Sequence, residues 1–226
     1  MTHCASELAF PSPGLGWTAP NPVRCELTTR RLSIRAFRLD EAQSLNHVVV
    51  ASRDRLLPWL PWARSQHEHL AGTAKFIAEQ QLAMTAGHAL SMFFVGIFDS
   101  ESGELLGGTG VSDIRANTAS CEIGYWIRSD RQGLGYATEA CARVLSWALS
   151  DQSDGGLGLR RVRIYCSAAN EASRRVPTKL GLHKEVHQRE DYYVEGHGPT
   201  DRLGWGVMAQ EWDCTLHRLN ASDDGA

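Results

Sequence analysis

Residues 122–139 read Glu122-Ile-Gly-Tyr-Trp-Ile-Arg-Ser-Asp-Arg131-Gln-Gly133-Leu-Gly135-Tyr-Ala137-Thr-Glu139. An apolar strand runs directly into a glycine-rich turn, and the turn starts a helix. Gly133 and Gly135 let successive backbone N–H groups converge with no Cβ in the way, and the helix beginning near Leu134 adds the positive end of its dipole. The turn is therefore a candidate anion site that fits phosphate or pyrophosphate, with Arg128 and Arg131 at hand to supplement it. A turn without a ligand is the competing reading of these residues taken alone. Neither of two other nucleotide motifs is met. No G-x-x-x-x-G-K-[ST] occurs, and Thr138 stands where the dinucleotide fingerprint needs its third glycine.

Working outward, apolar alternation at Leu32, Ile34 and Ala36 predicts a strand over residues 32–37, and Asp40 with Gln43 reads as a capping box opening a helix over 41–50. A second helix is expected over 68–86, with Leu70, Ala74, Ile77, Ala78 and Leu82 on its apolar face and Gly87 closing it. Strands are expected next over 90–98, 104–112 and 120–127, as antiparallel neighbours. The helix after the glycine turn runs to about Leu149, with Ala137, Ala140, Cys141, Val144 and Ala148 inward. A buried strand over 161–168, a short helix from Asn170 to Gly181, and strands over 184–195 and 202–210 complete the pattern. The order is that of a mixed α/β sheet.

Composition bounds the function classes. The 226 residues are 42% hydrophobic and 22% charged, near globular averages, which excludes a disordered or fibrous chain. Lys plus Arg number 23 against 26 Asp plus Glu, a net charge of −3, so no nucleic-acid partner is expected. The longest apolar stretch, 89–98, is half what a bilayer requires, and the first residues lack the pattern of a targeting signal; neither membrane nor export is expected. Six cysteines without a C-x-x-C fit free thiols in a reducing cytoplasm. Prolines and glycines make residues 1–24 an irregular arm, 25–213 one domain and 214–226 a tail.

A second block, Asn170-Glu-Ala-Ser173-Arg-Arg-Val-Pro177-Thr-Lys-Leu-Gly181, lies downstream of the first. Asn170 offers a side-chain amide, and Ser173, in the first turn, offers a hydroxyl. As plain structure, Asn170 is an N-cap and Ser173 a surface hydroxyl. Together, in this order, the two blocks resemble the GCN5-related N-acetyltransferase (GNAT) superfamily, in the branch that includes the RimJ/RimL ribosomal-protein N-terminal acetyltransferases. The likeness covers roughly residues 27–212. Thr29-Arg-Arg-Leu-Ser-Ile-Arg35 and Leu57-Pro58-Trp59-Leu60-Pro61-Trp62-Ala63 share it; Asp130 departs from the usual Gln or Arg at the head of the turn.

The resemblance implies an α/β GNAT fold, a mixed and mostly antiparallel sheet of about seven strands flanked by about four helices. It implies acetyl-CoA as co-substrate without a metal, with Ile127, Arg128, Arg131, Gln132, Gly133, Leu134, Gly135, Tyr136, Ala137, Asn170 and Ser173 contacting it. It also implies an amine acceptor, most simply a protein N-terminal α-amine; a small amine such as an antibiotic or polyamine, or an acyl-CoA-binding module without turnover, are the alternatives. A homodimer is compatible with it. Catalysis falls to Ser173 and to Glu122, where some superfamily members carry a general base; a surface glutamate is the bland reading of Glu122. Glu190 and Asp191 are weaker candidates. Trp59 and Trp62 line the acceptor groove or plug the core edge. His67-Glu68-His69 places its imidazoles about 200° apart on a helix, and with His183 and His187 these histidines read as solvated rather than metal-binding. Pro177 should kink or end its helix, because it cannot donate to the Ser173 carbonyl, which is left for water or a ligand amide.

Overall fold

The computed structural model describes residues 16–87 and 90–217. Residues 1–15 of the expected arm, the tail beyond 217 and Ala89 of the apolar stretch lie outside the described residues. Eight strands form one sheet: β1 (Glu26–Thr28), β2 (Leu32–Arg35), β3 (Phe93–Asp99), β4 (Leu105–Arg115), β5 (Ser120–Ile127), β6 (Arg161–Ser167), β7 (His183–Val194) and β8 (Gly198–Met208). Five helices accompany them: α1 (Ala42–Leu56), α2 (Trp62–Ser65), α3 (Leu70–Ala83), α4 (Tyr136–Leu149) and α5 (Glu171–Lys179). The sheet order is β1-β2-β3-β4-β5-β6-β8-β7. Neighbours are antiparallel except β5 and β6. The expected architecture is present, with one strand and one helix more. β1 has three residues and α2 four, too short for either period to show.

Helices cover both sheet faces. Ala140, Cys141, Val144, Leu145 and Ala148 of α4 pack on Leu32, Ile34, Phe93, Val95 and Ile97, joined by Ile123, Val162 and Ile164. On the opposite face, Leu45, Val48, Val49 and Leu56 of α1 and Phe76 and Ile77 of α3 pack on Phe98 and Leu105. Cys25, Cys121, Cys141 and Cys166 are free and buried, small hydrophobes as their apolar settings predict.

Three local expectations are corrected. Asp40 does not cap α1. A 3-10 turn spans Leu39–Glu41, and Glu41 accepts both the Arg38 amide at 2.8 Å and the Arg35 guanidinium at 2.7 Å, so the longer carboxylate closes the turn. α1 then runs six residues past Val50. α3 is rotated from its predicted face. Thr73, Phe76 and Ile77 are buried, while Leu70 and Leu82 are exposed, because the large Phe76 and the Thr73 hydrogen bonds outweigh two leucines. α3 ends at Ala83, so Gly87, although at φ +57°, lies beyond its cap.

His67 is not solvated. It is 2% exposed, its ring edge-on to Trp62 (5.5 Å) and Phe76 (5.1 Å). Asn46 donates to the His67 carbonyl and to Thr73 Oγ1, which leaves the Thr73 hydroxyl proton for His67 Nδ1 at 3.0 Å. Burial pulls this imidazole down to about 4 from 6.5. Between those values the unfolded chain binds the extra proton, so the contribution to stability is complete above about pH 6.5 and declines as pH falls toward 4. Urea midpoints measured between pH 7 and 5 should fall less in His67→Gln than in the parent; equal slopes would show that His67 carries none of the acid sensitivity.

Candidate active site

β5 and β6 are registered over three residue pairs only, Ser120–Arg161, Cys121–Val162 and Glu122–Arg163. Beyond these the strands part, although β5 continues to Ile127 and β6 to Ser167. The opening is a wedge in the middle of the sheet. Its β5 lip leads into the glycine turn and its β6 lip into α5, so both blocks singled out by sequence meet at one place.

The turn is built as its residues require. Arg128 N–H donates to the Leu106 carbonyl at 2.9 Å, Ser129 N–H to Ser52 Oγ at 3.1 Å, and Gln132 Nε2 to the Ile127 carbonyl at 3.0 Å. Gly133 and Gly135 take φ values of +78° and +86°, in the left-handed region open to glycine. Gly135 is the N-cap of α4 and offers no side-chain cap, so the amides of the first turn keep their donors for another acceptor. A Cβ on Gly133 would meet nothing within 4 Å; the space over the turn is open.

Charge around the turn is arranged differently from the sequence expectation. Arg128 clamps Asp130 with two bonds, 2.7 and 3.0 Å, and Glu104 at 2.6 Å; Arg131 also reaches Glu104, at 3.1 Å. Arg128 and Asp130 therefore brace the turn from below, and the Arg128 guanidinium holds the Asp130 carboxyl below its usual range. The cation that reaches the start of α4 is Arg31, which sequence reasoning left without a role. It donates to the Leu134 carbonyl at 3.1 Å, pairs with Glu139 at 2.6 Å and lies 4.6 Å from the Tyr136 ring centre. Glu139 also accepts the Thr29 hydroxyl at 2.6 Å and the Arg31 amide at 3.2 Å. An acidic residue in the first turn of a helix, paired in sequence with a distant Thr-x-Arg, was the available signal.

On the β6 lip, Asn170 Oδ1 accepts the Ser173 amide at 3.0 Å, the N-cap of α5. Its carboxamide nitrogen remains for a ligand. Ser173 faces Tyr125, whose hydroxyl lies 3.1 Å from Ser173 Oγ and donates to the Ser173 carbonyl at 2.9 Å. Cys166 bears on the same Ser173 hydroxyl. α5 does not end at Pro177; it continues to Lys179, with the freed carbonyl taken by Tyr125.

Glu122 stands on the other face of β5, with Gly124 and Trp126, as alternation requires. It is half-buried, and loss of water pushes its carboxyl above the usual range against the pull of Arg202 and Arg163. Gly124 has open space where a Cβ would stand. Trp126 lies across β4, where a Cβ on Gly108 would come within 2.6 Å of its indole nitrogen, and meets Trp62 edge-on at 5.9 Å. The Tyr192 hydroxyl donates to the Trp59 carbonyl at 3.0 Å, joining the α1–α2 loop to β7. Trp59 and Trp62 are half-buried, and Trp62 packs with Trp126 against the core cluster of α1 and α3, on the face of β5 that carries Gly124. Glu122 and Ser173 thus flank the wedge from opposite faces. Glu190 is exposed on a bulge of β7 and Asp191 lies 3.7 Å from Arg202. Among the described residues, no three His, Cys, Asp or Glu side chains gather to hold a metal, and no helix is long and apolar enough to cross a membrane.

The profile of the acetyltransferase (GNAT) domain family matches residues 31–183. YdaF of Bacillus subtilis (strain 168), which carries a provisional name as a ribosomal N-acetyltransferase, is 26% identical over 184 residues, 80% of this chain and 93% of its own. The ribosomal protein uS5-alanine N-acetyltransferase of Escherichia coli (strain K12) is 25% identical over 78% of this chain and 87% of its own. Among solved structures, RimL, a ribosomal L7/L12 α-N-protein acetyltransferase in complex with coenzyme A, superposes with a TM-score of 0.70 at 20% identity, covering 80% of this chain and 96% of that one. Mycobacterium smegmatis RimJ, in complex with CoA-disulfide, gives 0.71 at 21%, covering 91% and 94%. At these identities the two structures share the fold.

Glu139 holds three groups of the β1–β2 segment with a side chain only 18% exposed. Glu139→Ala should cost about 2–3 kcal/mol, since it strands the Arg31 cation and the buried Thr29 hydroxyl. Urea unfolding measures this; a loss under about 0.5 kcal/mol would reduce the clamp to an ordinary surface pair.

Proposed function

The chain belongs to the GNAT acetyltransferase family, and on that premise we propose that it transfers an acetyl group from acetyl-CoA to a primary amine, with a protein N-terminal α-amine as acceptor. The observation that carries the reading is the wedge with an uncapped helix start beside it. The pyrophosphate lies against the amides of Gly133 to Ala137, where the α4 dipole and Arg31 favour negative charge. The pantetheine arm enters the wedge, where backbone groups of β5 beyond Glu122 no longer pair with β6, and Asn170 offers its carboxamide nitrogen to the arm's amides.

The neutral amine then attacks the thioester carbonyl carbon. A C–N bond forms, the carbonyl becomes an oxyanion that β5 amides stabilise, and the C–S bond breaks with its electron pair on sulfur. Glu122 takes the proton the amine loses, directly or through one water. Its raised carboxyl suits that task better than an ordinary carboxylate would. An α-amine titrates near 7.7–8.0 and a lysine near 10.4, so at neutral pH lysine requires roughly 3 kcal/mol more to become a nucleophile. A single half-buried carboxylate fits the easier acceptor. The strand face at Gly124 leaves open space where a Cβ would stand, and relatives named for ribosomal-protein N-acetylation support the same choice.

Thermal melts with acetyl-CoA test the binding half. The ligand should raise the Tm of the parent and leave Gly133→Asp unmoved, because the new carboxylate projects into the open space over the turn; an equal shift in both would refute the placement of the pyrophosphate. Release of free thiol from acetyl-CoA across a panel of peptides and small amines tests the acceptor. Peptides with free α-amines should turn over fastest, and faster turnover of a polyamine or aminoglycoside would overturn that choice.

The rate should rise with pH through the raised Glu122 ionisation, since the base acts only when deprotonated. Glu122→Gln should lower kcat by about 10²-fold near neutral pH and by less at high pH, where the amine loses its proton unaided. Parent-like kcat with an unchanged pH profile would return Glu122 to a surface role.

A further inference from the structure

Pro177 has no backbone N–H, so the Ser173 carbonyl four residues earlier lacks its helical donor. A carbonyl left unpaired in the interior is costly. Here it accepts the Tyr125 phenol at 2.9 Å, from a different element of the fold. Tyr125 is partly buried against the core, and loss of water lifts its ionisation well above the usual range, so the phenol remains a neutral donor. Its oxygen is also 3.1 Å from Ser173 Oγ. With the phenol proton on the carbonyl, Ser173 is the donor between the two oxygens, its hydroxyl also within reach of Cys166. One β5 side chain thus grips Ser173 at both its backbone and its hydroxyl, across the wedge.

Resting on the acetyl-transfer reading, we propose that Tyr125 is a positioning residue for that reaction: it takes over the carbonyl that Pro177 leaves without a donor and thereby fixes the Ser173 hydroxyl at the wedge, facing the sulfur of CoA. When the C–S bond breaks, the electron pair stays on sulfur and the Ser173 O–H turns from the phenol oxygen to hydrogen-bond the thiolate. The amine's proton leaves by Glu122 on the opposite face, and the thiolate takes its own proton from water after release. The proline is therefore part of the arrangement. A backbone donor in its place would satisfy the carbonyl within α5 and release the phenol from it.

Five variants separate the two grips: Tyr125→Phe, Pro177→Ala, their double mutant, Ser173→Ala, and Tyr125→Phe combined with Ser173→Ala. Tm is measured without ligand, and kcat and KM for acetyl-CoA with the fastest peptide of the panel. Tyr125→Phe should lower Tm by about 3–8 °C and kcat by about tenfold, with KM for acetyl-CoA within about twofold of the parent. In the Pro177→Ala background the Tm loss caused by Tyr125→Phe should shrink by half or more, because the backbone N–H that this substitution introduces now serves the carbonyl. The kcat loss should persist there, because the Ser173 hydroxyl still lacks its phenol. Added to Ser173→Ala, Tyr125→Phe should cost no further kcat.

An undiminished Tm loss in the Pro177→Ala background would overturn the carbonyl pairing. Recovery of kcat together with Tm would make Tyr125 a structural prop only, as would an unchanged kcat in Tyr125→Phe. The Tm cycle uses no substrate, so it decides the pairing apart from the chemistry. If no acceptor turns over at all, the acetyl-transfer reading fails, and the positioning role with it.

Discussion

The parting of β5 from β6 after Glu122 and Arg163 is the constraint on which the rest of the structure depends. A parallel pair in the centre of a sheet would ordinarily continue its ladder, because each abandoned rung leaves a donor and an acceptor without a partner. Here the ladder stops after three pairs, and the two lips are held apart by the segments into which the strands lead. β5 passes into a turn braced by Arg128, Glu104 and Asp130 and anchored to α1 through Ser52. β6 passes into α5, whose Ser173 is gripped from β5 by Tyr125. A cleft lined by backbone groups is thus built into the sheet itself.

The placement of charge is the second constraint. Arg128 and Arg131, adjacent to the glycine turn in sequence, are engaged by Glu104 and Asp130. Arg31, a hundred residues away in sequence, supplies the cation at the start of α4 through its pairing with Glu139. A carboxylate in the first turn of a helix complements the dipole, and the arginine bound to it returns positive charge beside the uncapped amides. The same pair ties the β1–β2 connection at the sheet edge to the glycine turn, so the stability of that edge and the geometry of the turn are coupled.

The two faces of the wedge have different characters. On the side of α4 and α5 the residues are Tyr125, Ser173 and Cys166, all neutral, the cysteine buried and the tyrosine partly so. On the side of α1 and α2 stand Glu122, Trp62 and Trp126 and a set of paired arginines and aspartates. The thickness of the sheet separates the half-buried carboxylate from the neutral hydroxyl pair, an arrangement that supports the proposed reaction. His67 is buried edge-on between Trp62 and Phe76 on that same side.

The order of elements, the antiparallel run β3–β4–β5, the glycine turn opening α4 and the Asn170 cap of α5 were legible in the chain, because each depends on residues within a few positions of one another: alternation, a glycine at positive φ, an amide oxygen reaching three residues on. The orphaned Ser173 carbonyl was legible too, since proline removes its donor wherever the helix sits. Its partner was not. Tyr125 is 48 residues from Ser173, Arg31 is 108 from Glu139, and nothing local distinguishes them from other aromatic and basic side chains. The buried face of α3 and the enclosure of His67 were decided likewise by which neighbours arrived, a large Phe76 and an Asn46 amide from α1. Local covalent geometry and periodicity determined where the chain turns and which groups want partners; only the packing of distant strands decided which side chains would meet those wants, because hydrogen bonds and contacts are satisfied in space and carry no record of sequence separation.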